Sequence, residues 1–267
     1  MKKVFFIRLT APLLACLLLT ATVLAGCCCS GIFDVFKAKY ERQVQLSAPI
    51  ALGQTLDVHT NVGSITVTGG DFTDCSVTAK IMAKAATEEK AQKLAEETQI
   101  KLEPAGDKLK VKVEKPSTAG KEAICVSFDI TVPRQTALNL RANVGELKVE
   151  NITETIEAVT NVGKITCKEI TGRIDLTTNV GEVKVVYAED APAACNVKIS
   201  TSVGEIDFAG PDNLSAEFHA STTKVGSIET HLPFTVTGKI SKSLDGTVGA
   251  GEGKVILRTN VGSIKIK

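Results

Sequence analysis

The chain has 267 residues, with 31 Lys and Arg against 30 Asp and Glu, and a formal charge of +1. That near-balance excludes the basic footprint a nucleic-acid surface needs. Trp is absent and aromatics make up 4% of the chain, which argues against a sugar-stacking aromatic cleft and suits a core of thin Val and Ile layers.

The first feature along the chain is an export signal. Lys2, Lys3 and Arg8 form a basic n-region, and an apolar run from Leu9 to Gly26 ends in Leu24-Ala25-Gly26-Cys27. Small residues before a cysteine resemble a lipobox, where a bacterial lipoprotein is cut and the cysteine acylated. The reading is a signal peptide at 1–26, lipidation of Cys27, and a tether over 27–40. An uncleaved anchor is the alternative, because the run is about long enough to span a bilayer. Both readings export the rest of the chain and hold it on a membrane. Cleavage removes three basic residues and no acid, taking the charge from +1 to −2. Cys28, not Asp, follows Cys27, which favours an outer-membrane or cell-surface destination over the inner membrane. Cys28 and Cys29 read as spare tether residues.

A strand region is expected from Glu41 to Thr68. It contains Asn61-Val62-Gly63-Ser64-Ile65-Thr66-Val67, a phrase that recurs throughout the chain. Thr87 to Gln99 breaks the strand pattern. It is rich in helix formers, has acids in its first turn, and carries one apolar stripe of Ala91, Leu94 and Ala95. This predicts a short helix. Strands follow at 108–113 and 123–132. Solenoid ends need protection from edge-to-edge pairing, so 41–133 reads as an N-terminal capping part.

Regular repeats are expected over 134–267. The phrase returns at Asn143-Val144-Gly145, Asn161-Val162-Gly163, Asn179-Val180-Gly181 and Asn260-Val261-Gly262. Variants stand at Ser202-Val203-Gly204, Lys224-Val225-Gly226 and Thr247-Val248-Gly249. Gly145, Gly163 and Gly181 are spaced by 18 residues, and the later spacings are 23, 22, 23 and 13. Apolar residues fall seven and five places before Gly63, Gly145, Gly163, Gly181, Gly204 and Gly262, as at Ile156 and Ala158, and two and usually four places after each glycine. Such period-2 alternation means strands with one buried face, and a fixed repeat means stacked units. The fold class is therefore all-β: a β-solenoid of about 18-residue, two-strand repeats with one capping α-helix near 87–99, forming a single domain over 41–267.

The repeated residues read as structural corners: Asn61 and Gly63, Asn143 and Gly145, Asn161 and Gly163, Asn179 and Gly181, Gly204, Gly226, and Asn260 and Gly262. Glycine reaches positive φ without penalty, and Asn stabilises tight turns and can stack in amide ladders. Glu146, Lys164 and Glu182 stack as one outward column, with Lys148, Thr166 and Lys184 as the next, giving modest cross-strand charge pairs.

In this order the features resemble the bacterial putative-adhesin family of unknown function. The features are an exported N-terminus, the Glu88–Thr98 helix, the strand Phe128-Asp129-Ile130-Thr131-Val132-Pro133, repeats from Asn143 onward, the Gly-rich turn Gly249–Gly253 and a last repeat at Val255–Ile266. The resemblance covers about Val44 to Lys267. It implies a β-helix-like fold and a cell-envelope role, and it carries over no catalytic residue.

No catalytic residue, cofactor or metal ligand set is expected. The acids are spread evenly rather than converging in one groove, as glycan hydrolysis requires. His59, His219 and His231 share no ligand spacing, and there is no Cys-x-x-Cys. Gly249-x-Gly251-x-Gly253 lacks the strand-to-helix context of a phosphate loop and reads as a turn. Export permits disulfides among Cys75, Cys125, Cys167 and Cys195, with pairing open and Cys75–Cys125 and Cys167–Cys195 as guesses. Cys167 also occupies the place of Val149 and Val185 and reads better as a small buried hydrophobe than as a disulfide partner. The functional expectation is a non-catalytic envelope lipoprotein presenting a repeat surface for adhesion or scaffolding. Its partners would be the membrane through the lipid, and envelope polysaccharide, peptidoglycan or a surface protein. The alternatives are a self-assembling structural element and a solenoid carbohydrate-active enzyme.

Overall fold

Along each regular strand the side chains alternate between a dry face and a wet one. In 156–162 Ile156, Ala158 and Thr160 are buried, while Glu157 and Val159 are exposed. A strand with one apolar face must lay it against another such face, and two facing sheets result. A computed structural model of the chain describes residues 38–233, 235–236 and 242–267.

The chain begins with β1 (Ala38–Pro49), β2 (Thr55–Val62), β3 (Ile65–Gly70) and β4 (Asp74–Ala85), followed by α1 (Glu88–Glu97). Then come β5 (Gln99–Ala105), β6 (Lys108–Glu114), β7 (Ala123–Pro133), β8 (Ala137–Val144), β9 (Leu147–Glu150), β10 (Ile156–Val162) and β11 (Ile165–Ile170). β12 (Ile174–Val180), β13 (Val183–Tyr187), β14 (Asn196–Val203), β15 (Ile206–Ala209), β16 (Ala216–Val225) and β17 (Ile228–Thr230) continue the pattern. The chain closes with β18 (Thr235–Val236), β19 (Ser243–Val248), β20 (Gly253–Val261) and β21 (Ile264–Ile266).

One sheet runs β1-β4-β7-β3-β9-β11-β13-β15-β21-β17, and the facing sheet runs β5-β6-β2-β8-β10-β12-β14-β20-β16-β19-β18. Neither closes into a barrel. A coil consists of one strand from each sheet joined at a corner, so the stack reads β6/β7, β2/β3, β8/β9, β10/β11, β12/β13, β14/β15, β20/β21, β16/β17. Coils are parallel and in register, with Ile156 aligned on Leu138 and Ile174. The core is the slab between the sheets. In the central coils Leu138, Leu140, Leu147 and Val149 make one layer, Ile156, Ala158, Ile165 and Cys167 the next, then Ile174, Leu176, Val183 and Val185, all essentially inaccessible. Tyr187, Phe208 and Phe218 continue it with edge-on ring contacts at 6.1 and 6.2 Å.

Stacking follows chain order only from β8/β9 to β14/β15. At both ends a coil is placed out of order. β2/β3 is sandwiched between β6/β7 and β8/β9, and the C-terminal β20/β21 slides between β14/β15 and β16/β17. Antiparallel strands finish the ends: β4 and β1 beyond β7, β5 beyond β6, β19 and β18 beyond β16. Thr247-Val248-Gly249 is therefore not a repeat corner. Thr247 and Val248 end β19, antiparallel to β16, and Gly249 enters the turn before β20 at φ +62°. The glycine spacing could not separate these cases, because the turn that carries the chain from β19 to β20, on opposite sides of β16, uses a positive-φ glycine as a coil corner does.

The helix lies on β1 and β4, with Ala91, Leu94 and Ala95 buried. The Thr87 side chain caps its start by accepting from the Lys90 N–H at 3.4 Å. Its other end is held from outside, where the Arg42 guanidinium on β1 donates to the Ala95, Glu96 and Thr98 carbonyls at 3.1, 3.1 and 3.2 Å. These are acceptors that a helix C-terminus leaves open.

Candidate functional site

The corners are built from the glycine outward. Gly63, Gly145, Gly163, Gly181, Gly204, Gly226 and Gly262 have φ between +139° and +156°, a region held almost only by glycine. Space is as restrictive as conformation. A Cβ on Gly163 would lie 1.9 Å from the Gly145 carbonyl oxygen, and one on Gly181 would lie 1.8 Å from that of Gly163. All of these glycines but Gly226, which lies in the last coil, donate their N–H to the corner-valine carbonyl of the next coil, as from Gly145 to Val162 and from Gly163 to Val180, both at 2.9 Å.

Beneath the glycines runs a column of buried threonines that sequence reasoning overlooked. Thr160, Thr178, Thr201, Thr259 and Thr222 donate their hydroxyls to the carbonyls of Gly145, Gly163, Gly181, Gly204 and Gly262, at 3.2–3.4 Å. Thr60 does the same to Val126, 2.8 Å away in the β6/β7 coil, which lacks the glycine phrase. The signal was present three residues before most corner glycines, and Ala142 is the one replacement.

The valine between asparagine and glycine points outward. Val62, Val144, Val162, Val180, Val203, Val261 and Val225 are successive register partners. All but the half-buried Val261 are 36–68% exposed. At the strand spacing the column runs roughly 29 Å. Beside it the Asn161 amide donates to Asn143, and that of Asn179 to Asn161 at 3.0 Å. Thr223 donates to Asn260 at 2.9 Å. Valine and asparagine thus form an uncharged ridge along one flank.

The strand faces beside the ridge are laced with ion pairs. Lys164 meets Glu182 at 3.0 Å, Lys265 meets Glu205 at 2.5 Å, and Lys198 meets Asp175 at 2.9 Å. Asp207 is the most enclosed of these acids. Burial opposes its ionisation, but the ammonium groups of Lys267 and Lys184 outweigh that and hold its carboxyl below the ordinary range.

The remaining predicted residues are dispersed. Cys27 lies outside the described residues. Cys75, Cys125, Cys167 and Cys195 form no disulfide with one another in this structure, unlike the pairings entertained from sequence. Cys125 stands opposite Met82 on β4, seven residues along that strand from Cys75, a separation of roughly 23 Å that no disulfide spans. Burial raises the Cys75 and Cys167 thiols to about 12 and Cys195 to about 11. His219 pairs with Asp245 at 2.8 Å across β16 and β19. His59 and His231 lie elsewhere, and no cluster of three His, Cys, Asp or Glu occurs among the described residues. No helix among them is long and apolar enough to cross a membrane.

Two facing sheets of parallel coils turned at glycine corners define a solenoid-like repeat β-protein. The chain belongs to the Toastrack DUF4097 family, matched over residues 41–267. Among solved structures, a putative cell adhesion protein from Clostridium sporogenes has the same fold, with a TM-score of 0.53 and 14% identity, over 85% of this chain and 99% of that one. Two others are similar at lower TM-scores. A putative adhesin from Bacteroides fragilis scores 0.44 at 15% identity, over 85% and 97% of the chains. Another from Parabacteroides distasonis scores 0.31 at 10%, over 85% and 97%. No curated protein matches the sequence.

Proposed function

We propose that the protein is a non-catalytic element of a bacterial cell envelope, exported, acylated on Cys27 and tethered by the segment between Cys27 and β1, which begins at Ala38 rather than after residue 40, and that its corner ridge contacts an envelope polymer. The observation that carries this reading is the ridge. Contiguous exposed apolar surface marks contact sites, and this strip is periodic and free of charge through its middle. Valine methyls would cover the apolar faces of sugar rings, and asparagine amides would serve their hydroxyls. Polysaccharide or peptidoglycan therefore fits it better than a globular protein. The Clostridium sporogenes relative, described as a putative cell adhesion protein, is in keeping with such a role. Catalysis has less support, because the acids are spread over the surface and many are tied to lysines. Self-assembly has less support because antiparallel strands cover most of the edges at the two ends of the stack.

Fractionation of cells carrying the wild type and Cys27→Ala tests the anchoring. The wild type is expected in the membrane fraction and sensitive to protease on the non-cytoplasmic side, with Cys27→Ala released from the membrane. Recovery of both as soluble cytoplasmic protein would overturn the reading.

A further inference from the structure

The sheet that carries the asparagine ladder has one interruption. β2 and β6 pair in parallel from Thr55↔Lys108 to Val58↔Val111 and then part. Both strands go on. β2 stays paired with β8 as far as Val62↔Val144, and β6 stays paired with β5 as far as Glu114. A cavity of about 320 Å³ opens in the fork. We propose that this seam binds a short extended peptide segment bearing a carboxylate, taken up as an added strand on β2.

Backbone geometry supplies the first part of the argument. The Thr55 N–H bonds the Asp107 carbonyl at 3.1 Å. In a parallel pair the residues that bond a given neighbour alternate along the strand. The backbone groups of Thr55, Asp57 and His59, and the Asn61 N–H, therefore face β6. Beyond the Val58↔Val111 pair the partner strand turns away, so the His59 C=O and the Asn61 N–H look into the fork, and no described strand pairs them on that side, while the Asn61 C=O turns to β8. An internal strand edge is what β-addition uses: main-chain bonds give affinity and side-chain pockets give selectivity.

The lining supplies the rest. Val111, Val113, Ile124 and Val126 make an apolar floor, and Lys112 and Lys115 stand at the rim. No carboxylate lines the cavity. Lys112 is already bridged to Glu103 at 3.4 Å and Glu114 at 3.0 Å, whereas Lys115 has no ion-pair partner among the described residues. The site thus offers a strand edge, an apolar pocket and one unneutralised ammonium group. Its volume, at the low end for ligand pockets, holds two or three residues rather than a folded partner. The coils from β8/β9 to β14/β15 have no counterpart, since their strands in this sheet stay paired on both sides up to the corner. The inference does not depend on the ridge.

The test is a titration of the mature protein with N-acetyl-Val-Thr-Val as the free acid, read by backbone amide resonances. Saturable shifts are expected at Asn61, Val62 and Val113 and not at the distant corner valines Val162, Val180 and Val203. The same peptide as its C-terminal amide should bind about tenfold more weakly, the size of one charge-assisted hydrogen bond. Lys115→Gln should lose the same factor while the rest of the spectrum is unchanged, which separates lost binding from lost folding. Absence of saturable shifts at the seam would overturn the proposal. So would equal binding of octanoate, which would make the seam a pocket for simple carboxylates, and so would Lys115→Gln binding like the wild type.

Discussion

Replacing Gly163 with alanine tests the corner directly. The new methyl would stand 1.9 Å from the Gly145 oxygen and 2.7 Å from its carbonyl carbon, at φ +152°. Restoring an ordinary contact near 3.5 Å requires the two coils to separate locally by roughly 1.5 Å. That stretches the bond from Gly145 N–H to the Val162 carbonyl and the Thr160 hydroxyl contact to Gly145. Two hydrogen bonds at about 1 kcal/mol each and backbone strain of about 1–3 kcal/mol give a loss of about 3–5 kcal/mol. Set against a total stability of about 5–15 kcal/mol, the urea midpoint should fall by about 2 M. Gly53 is the control. It also has positive φ, at +75°, but no atom lies within 4 Å of its would-be Cβ. Gly53→Ala should cost only the left-handed penalty of about 1–2 kcal/mol. Urea unfolding followed by circular dichroism reads both. If Gly163→Ala cost no more than Gly53→Ala, the claim that carbonyl approach between coils dictates these glycines would be refuted.

Three further outcomes are expected. Thr160→Val should lose about 1 kcal/mol by removing the hydroxyl bond to Gly145, and Ala142→Thr should gain about 0.5–1 kcal/mol by supplying the missing bond to the Gly63 carbonyl, both read by urea midpoint. Arg42→Met keeps the aliphatic stem but uncaps α1, so amide exchange over 88–97 should speed up by about 1–2 kcal/mol of lost protection. For the thiols, burial raises Cys75 and Cys167 from 9.0 to about 12. The folded state thus favours the neutral form, and the contribution is complete below pH 9 and lost as pH rises from 9 towards 12. Midpoints at about pH 8 and about pH 10.5 should differ less in Cys167→Val than in the wild type, because valine fills that place in the neighbouring coils.

Much of the fold was legible because one short phrase encodes the coil. Alternation around Ile156 and Ile165 specified two strands with one dry face each. Gly163 specified the corner, and Glu88–Thr98 announced a helix. What stayed hidden concerns neighbours rather than local conformation. Parallel coils with the same apolar rows can stack on either side of one another, so nothing in Val255–Ile266 says that it slides between β14/β15 and β16/β17. The β6/β7 coil carries Val126 where its sisters carry glycine and so left no trace in the repeat pattern. The ridge was visible as letters, but the corner valine reads as one more apolar residue in a β-rich phrase until the geometry turns it outward. The seam at Asn61 arises from two strands parting, which no local pattern records.

The measurement that tests the central claim most directly is co-sedimentation of the protein with insoluble peptidoglycan and with isolated envelope polysaccharide, comparing the wild type with Val144→Thr/Val162→Thr/Val180→Thr. Threonine keeps the shape and the strand preference while wetting the ridge, so both proteins should unfold at similar urea concentrations. The account predicts that the wild type sediments with at least one of these polymers and that the triple variant stays in solution. Equal sedimentation of the two proteins, or none by either, would contradict the assignment of the ridge as the functional surface.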